Sequence, residues 1–96
     1  MPVVWIPALL RDLTGGRASV PAAGATVREL IADLETRYPG LQARLCAGER
    51  LQPGLAVVVD GQTSALQLRQ PVTEASEVHF VVIISGGQAG PPQWRS

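Results

Sequence analysis

Lysine is missing from the chain; all eight basic side chains are arginine, and three Asp and five Glu balance them to a formal net charge of zero. GC-rich codon usage alone accounts for such a preference. Nothing in the balance suggests a polyanion partner, because nucleic-acid binders carry a basic patch or a high domain pI. Cysteine is nearly absent: Cys46 stands alone, so no disulfide forms within the chain and no Cys cluster holds a metal. One histidine, His79, leaves no His pair for a metal or for acid–base work. Charged residues make up 17% of the chain and apolar ones 46%, a balance that excludes a disordered segment. The longest unbroken apolar runs, Phe80 to Ile84 and Leu55 to Val59, fall far short of the ~20 residues of a membrane helix. Met1-Pro2 opens without the basic stretch of a signal peptide, so a cytoplasmic protein with no membrane partner is expected.

What is present fits one domain. Val3-Val4-Trp5-Ile6 reads as a first strand, with Pro7 marking an edge or kink. Leu9 and Leu10 continue the apolar character; Leu13 to Arg17, with Gly15-Gly16, supplies a turn, and Ala18-Ser19-Val20 returns as a second strand. Thr26-Val27-Arg28-Glu29 has the form of a capping box. Val27, Leu30, Ile31, Leu34 and Tyr38 follow at the spacing of one helical face, and Pro39-Gly40 closes a helix over 26–38. A further helical turn fits 41–45 and a loop fits 47–50. Leu55 to Val59 is a strand ending in the tight-turn pair Asp60-Gly61, and 66–68 is either a short strand or irregular. Val78 to Ile84 is the last and strongest strand. Its alternation directs Val78, Phe80, Val82 and Ile84 to the core. His79, Val81 and Ile83, together with Val58, go to the open face, where an apolar patch would serve as a docking surface. The expected fold is α+β: a β-grasp, ubiquitin-like, with a mixed four- to five-stranded sheet and one main helix packed across one face, the last strand parallel to the first.

Several short segments, in order, resemble the ThiS/MoaD class of ubiquitin-like sulfur carriers. They are Ile6-Pro7-Ala8-Leu9-Leu10-Arg11, Leu13-Thr14-Gly15-Gly16, Thr26 to Ile31, Leu34, Tyr38-Pro39-Gly40-Leu41, Val59-Asp60-Gly61 and Ser76-Glu77-Val78 running into Ile84-Ser85-Gly86-Gly87. The Ile-Pro…Leu-Arg…Thr-Gly-Gly opening is most similar to the CysO type, which delivers sulfur for cysteine synthesis. The resemblance implies that an E1-like enzyme of the MoeB/ThiF type adenylates the Gly87 carboxylate with ATP. A sulfur donor then converts the adenylate to a thiocarboxylate, and a sulfur-accepting enzyme such as a cysteine synthase uses it. Ser85, Gly86 and Gly87 would form the C-terminal arm, whose glycines, lacking Cβ, thread a narrow channel. The chain itself would be a co-substrate, not an enzyme, with no bound cofactor and no metal. Two other readings are a molybdopterin synthase small subunit and a ubiquitin-like protein modifier or interaction module.

The chain departs from the simplest family pattern after Gly87, whose carboxyl is held in an amide to Gln88. The carrier reading therefore requires cleavage between Gly87 and Gln88, a task for a JAMM-type metallopeptidase. Domain 1–87 would end in Gly-Gly, and 88–96, with two adjacent prolines, would be a flexible tail in which Trp94 either anchors the tail in the peptidase or on the domain itself, or is merely exposed. A carrier with an activated carboxyl also gains from having no side-chain amine to attack it. Arg11, Arg17 and Arg69 could line the route of the arm or be solvated charge. His79 is expected at the surface, Cys46 as an incidental small apolar residue. Gly15-Gly16 lacks the context of a phosphate loop.

Overall fold

A computed structural model of the chain describes residues 1–82. The expected strand end at Ile83-Ile84, the Ser85-Gly86-Gly87 arm, the Gly87–Gln88 bond and the tail with Trp94 lie outside the described residues.

Strand β1 (Val3–Trp5) pairs antiparallel with β2 (Ser19–Pro21), Val4 opposite Val20. Their connection is longer than a hairpin turn. Pro7 has no N–H to give to a ladder and sits at φ −56°, ψ 145°, and from there the chain coils into a 3₁₀ segment, Ala8–Thr14. The coil turns Leu10 into the core and leaves Leu9 79% exposed, so the apolar pair does not extend the strand. The Thr14 hydroxyl, buried, bridges the Arg11 and Arg17 carbonyls at 3.1 and 2.9 Å and closes the segment.

Helix α1 (Val27–Arg37) starts where its sequence punctuation lies: the Thr26 hydroxyl accepts from the Glu29 N–H at 3.3 Å. The Glu29 carboxylate reaches one residue further back than in a capping box and accepts from the Ala25 N–H at 2.8 Å. Val27, Leu30, Ile31 and Leu34 are fully buried, the stripe that the 3.6-residue period demands. Helix α2 (Leu41–Leu45) follows Gly40. Glu35 joins the helices: its carboxylate accepts from the Gln42 N–H at 2.8 Å and the Gly40 N–H at 3.1 Å, and these bonds hold its pKa below the usual value. The expected loop over 47–50 is instead a small hairpin of β3 (Cys46–Ala47) and β4 (Arg50–Leu51).

Strand β5 (Leu55–Val59) turns into β6 (Gln62–Thr63) through Asp60 (φ 52°) and Gly61 (φ 84°). Two positive φ values in a two-residue loop match the right-handed strand twist. Residues 66–68, left open between short strand and loop, lead into a 3₁₀ turn, Gln67–Arg69, that buries Leu68. Strand β7 (Glu77–Val82) then enters the middle of the sheet, parallel to β1 and antiparallel to β5. The order β2-β1-β7-β5-β6, with α1 across one face, is a β-grasp.

A further expectation fails inside the described residues. Val78 and Phe80 are buried, but Val82 is 62% exposed. Val82 stands opposite Leu55, the first residue of β5, at the end of the ladder and past the reach of the helical layer. Alternation names the face of a strand; whether that face is covered depends on the partner element.

Gly24 shows how closely α1 seats on its entry loop. A Cβ there would lie 2.7 Å from Glu29 Cβ and 2.9 Å from Glu29 C and Leu30 N. Because two of these are helix backbone atoms, no side-chain rotation relieves the clash. Gly24→Ala is expected to lower unfolding stability by about 1–3 kcal/mol, measured by denaturant titration; an unchanged midpoint would contradict this packing.

Candidate functional site

The site is organised by β7, because the sequence beyond Val82 leads directly to Gly87. Asp60 clamps the start of this strand. Its carboxylate accepts from the Glu77 N–H at 2.9 Å and the Ser76 hydroxyl at 3.2 Å, while the Asp60 N–H donates to the Glu77 carbonyl at 2.9 Å. Buried Ser76 also accepts from the Thr73 N–H at 2.8 Å, and its carbonyl accepts from the Val3 N–H at 3.0 Å. One turn aspartate thus fixes β5, β7 and, through Ser76, β1 in register. Sequence reading assigned Asp60 only to a turn; the side-chain role depends on residues 16 and 17 positions away.

The open face of the sheet, opposite α1, carries three of the four residues expected there. Val58 faces His79 across β5 and β7, and Val81 faces Ala56. Val58 and His79 are half-buried and Val81 is 40% exposed; Ile83 lies outside the described residues. The structure adds Trp5, which parallel pairing sets beside His79. The rings stack with centroids 5.4 Å apart and planes 6° from parallel. The indole N–H donates to Glu77 Oε1 at 3.3 Å, and His79 Nε2 lies 4.0 Å from the same oxygen. The row Trp5–His79–Val58 is therefore a preassembled aromatic and aliphatic strip with one carboxylate at its margin. The signal for Trp5 was available in the alternation of β1, and needed only the parallel register to be read.

At the far end of β7, a groove of about 430 Å³ lies beside Val82, walled by Pro7, Leu9, Leu10 and Leu55 with Arg44 among its lining residues. Arg11, Arg17 and Arg69 do not line this groove; the route of the arm, for which they are candidates, lies outside the described residues. The Arg11 Nε–H is tied to the Ile6 carbonyl at 3.0 Å. Arg69 lines a separate cavity with Arg28, Glu49 and Arg50. Arg44, on the short helix α2, is the arginine that lines the groove.

Cys46 is buried and burial pushes its thiol pKa up, which disfavours a reactive thiolate. Among the described residues no group of three or more His, Cys, Asp or Glu side chains gathers, and no helix is long and apolar enough to cross a membrane.

Comparison with known proteins agrees with this geometry. A family model described as the ThiS family matches residues 4–87. The sulfur carrier protein CysO of Mycobacterium bovis is 50% identical over 42 residues, 44% of this chain and 45% of that relative; the match spans less than half the length of that curated protein. Among solved structures, the BexX/CysO complex of Amycolatopsis orientalis superposes with TM-score 0.82 and 36% identity, covering 91% of this chain and 100% of that one. Mycobacterium tuberculosis CysO, described as an antigen, gives TM-score 0.81 and 28% identity over 88% of this chain and 100% of that one.

If Asp60 holds the start of β7, Asp60→Ala should lower stability by about 1–3 kcal/mol, the cost of leaving two donors unpaired, and should speed hydrogen exchange at the Glu77 amide more than at Phe80. Uniform acceleration along the strand would contradict a local clamp.

Proposed function

The chain belongs to the ThiS family, and from that premise we propose that it is a sulfur carrier whose working group is the carboxyl of Gly87, freed by removal of residues 88–96. The observation that carries the proposal is where the family match stops: at residue 87, the second glycine of the pair that follows β7. The residues beyond it have no counterpart in the matched region, as a removable tail requires.

The chemistry follows from the poverty of a carboxylate as an acyl donor. A freed Gly87 carboxylate oxygen attacks the α-phosphorus of ATP in an E1-like enzyme of the MoeB/ThiF type, and pyrophosphate leaves. The acyl-adenylate then has AMP as a good leaving group. Hydrosulfide, delivered by the sulfur donor, attacks the carbonyl carbon, the C–O bond to AMP breaks, and AMP departs to leave a thiocarboxylate. Its sulfur attacks an electrophilic carbon held by the recipient enzyme, for which cysteine synthesis is the first candidate and a thiolated metabolite the second. The chain supplies no acid, base or metal to these steps. It contributes a rigid platform, with β7 paired on both sides, and glycines narrow enough for a partner's channel.

With the amide to Gln88 intact there is no carboxylate to activate, so a peptidase of JAMM type precedes the cycle. Val58, His79 and Val81, joined by Trp5, are the docking face for the activating enzyme. Stacking of Trp5 on His79 holds the strip in place before binding, which lowers the entropy of ordering it.

A chain ending at Gly87, incubated with ATP, a sulfur donor and its own cell's E1-like enzyme, is expected to release pyrophosphate and gain the mass of one oxygen replaced by sulfur; the 96-residue chain is expected to do neither. Failure of the shortened chain to be adenylated would sink the carrier reading. Within the same assay, Val81→Asp should raise the KM for the carrier about tenfold or more with kcat little changed, as loss of a central contact does. An unaltered KM in a folded variant would place docking elsewhere.

A further inference from the structure

A second concentration of charge lies on the helical side, in a cavity of about 410 Å³ that shares no lining residue with the groove beside Val82. Arg28, Arg50 and Arg69 line it with Glu49, Leu66 and Gln67. The three arginines come from three elements: the first turn of α1, strand β4, and the 3₁₀ turn Gln67–Arg69. Those elements are fastened together. The Val27 N–H donates to the Gln70 carbonyl at 3.0 Å, and Leu51 and Leu68 anchor β4 and the 3₁₀ turn in the core. The convergence is thus built into the fold.

The charges do not cancel. Glu49, its side chain 87% exposed, pairs with Arg28 at 3.0 Å, and among the described residues neither Arg50 nor Arg69 has an ion-pair partner. In a chain whose net charge is zero, this leaves two guanidiniums uncompensated beside a pair that already demonstrates carboxylate binding. Guanidinium forks fit carboxylates in two-point contacts. Leu66, 46% exposed, adds an apolar contact next to them. Open arginines around an apolar side chain suit a protein segment better than a small oxyanion, which is held by enclosed donors. The sequence pI of about 6.5 disfavours a nucleic acid.

We propose that this cavity is a docking surface for an acidic segment of a partner protein, one carrying carboxylates around an apolar residue, and that it works independently of the sheet face. A partner held there leaves both the sheet strip and the end of β7 uncovered, so one enzyme could be retained while another engages the arm.

The test uses the full chain, labelled for NMR observation of arginine side chains, and a capped peptide of four glutamates around a leucine at low ionic strength. Shifts at Arg28, Arg50 and Arg69 are expected, with affinity falling as salt is added. Arg50→Gln with Arg69→Gln should weaken binding about fivefold, whereas Arg17→Gln with Arg44→Gln should leave it within about twofold. Equal losses in the two double variants, or no binding at low salt, would overturn the proposal. So would tighter binding of inorganic pyrophosphate or a short thymidine oligonucleotide at the same arginines.

Discussion

Parallel pairing of the first and last strands is the constraint on which the structure rests. Residues 3–5 and 77–79 are far apart in the chain yet adjacent in the sheet. Everything between them has to travel from one side of β7 to the other and cover a face on the way. Helix α1 does the covering with four buried side chains, and Asp60 holds β7 against β5 so that the register opposite β1 is kept. The same pairing creates the open-face strip, since Trp5 reaches His79 only when β1 and β7 run side by side. Fold and candidate site are therefore one arrangement seen from its two faces.

Legibility followed the range of the interactions involved. Helix α1 could be read because its signals, Thr26 at the start, the Val27–Leu34 stripe and Pro39-Gly40 at the end, are local. The Asp60-Gly61 turn could be read for the same reason. The coil over Ala8–Thr14 could not, because Leu9-Leu10 carries no period and its conformation is decided by which leucine the core accepts. Val82 was misjudged since alternation is blind to where the helical layer ends. Asp60's hold on Glu77 and Ser76, and the meeting of Arg28, Arg50 and Arg69, depend on partners distant in sequence and leave no local trace.

The chemistry ascribed to this chain requires little of its side chains. Its proposed reactive atom is a main-chain carboxyl, so on that reading the side chains serve docking and the terminal glycines serve access. Among the described residues no group of three or more His, Cys, Asp or Glu side chains gathers, and the thiol of Cys46 is buried. If both proposed surfaces bind partners, the aromatic strip on one side and the arginine cavity on the other offer them different chemistry.

Among the described strands, the central one is the last to be synthesised. Until β7 emerges, β1–β2 and β5–β6 are two hairpin-like fragments with nothing between them, because each borders β7 and not the other. Closing the sheet is a late, long-range event, of the kind that slows folding and awaits a complete chain. A fragment that lacks β7 has no closed sheet, and damage to the sheet loosens the strand from which the sequence continues to Gly87.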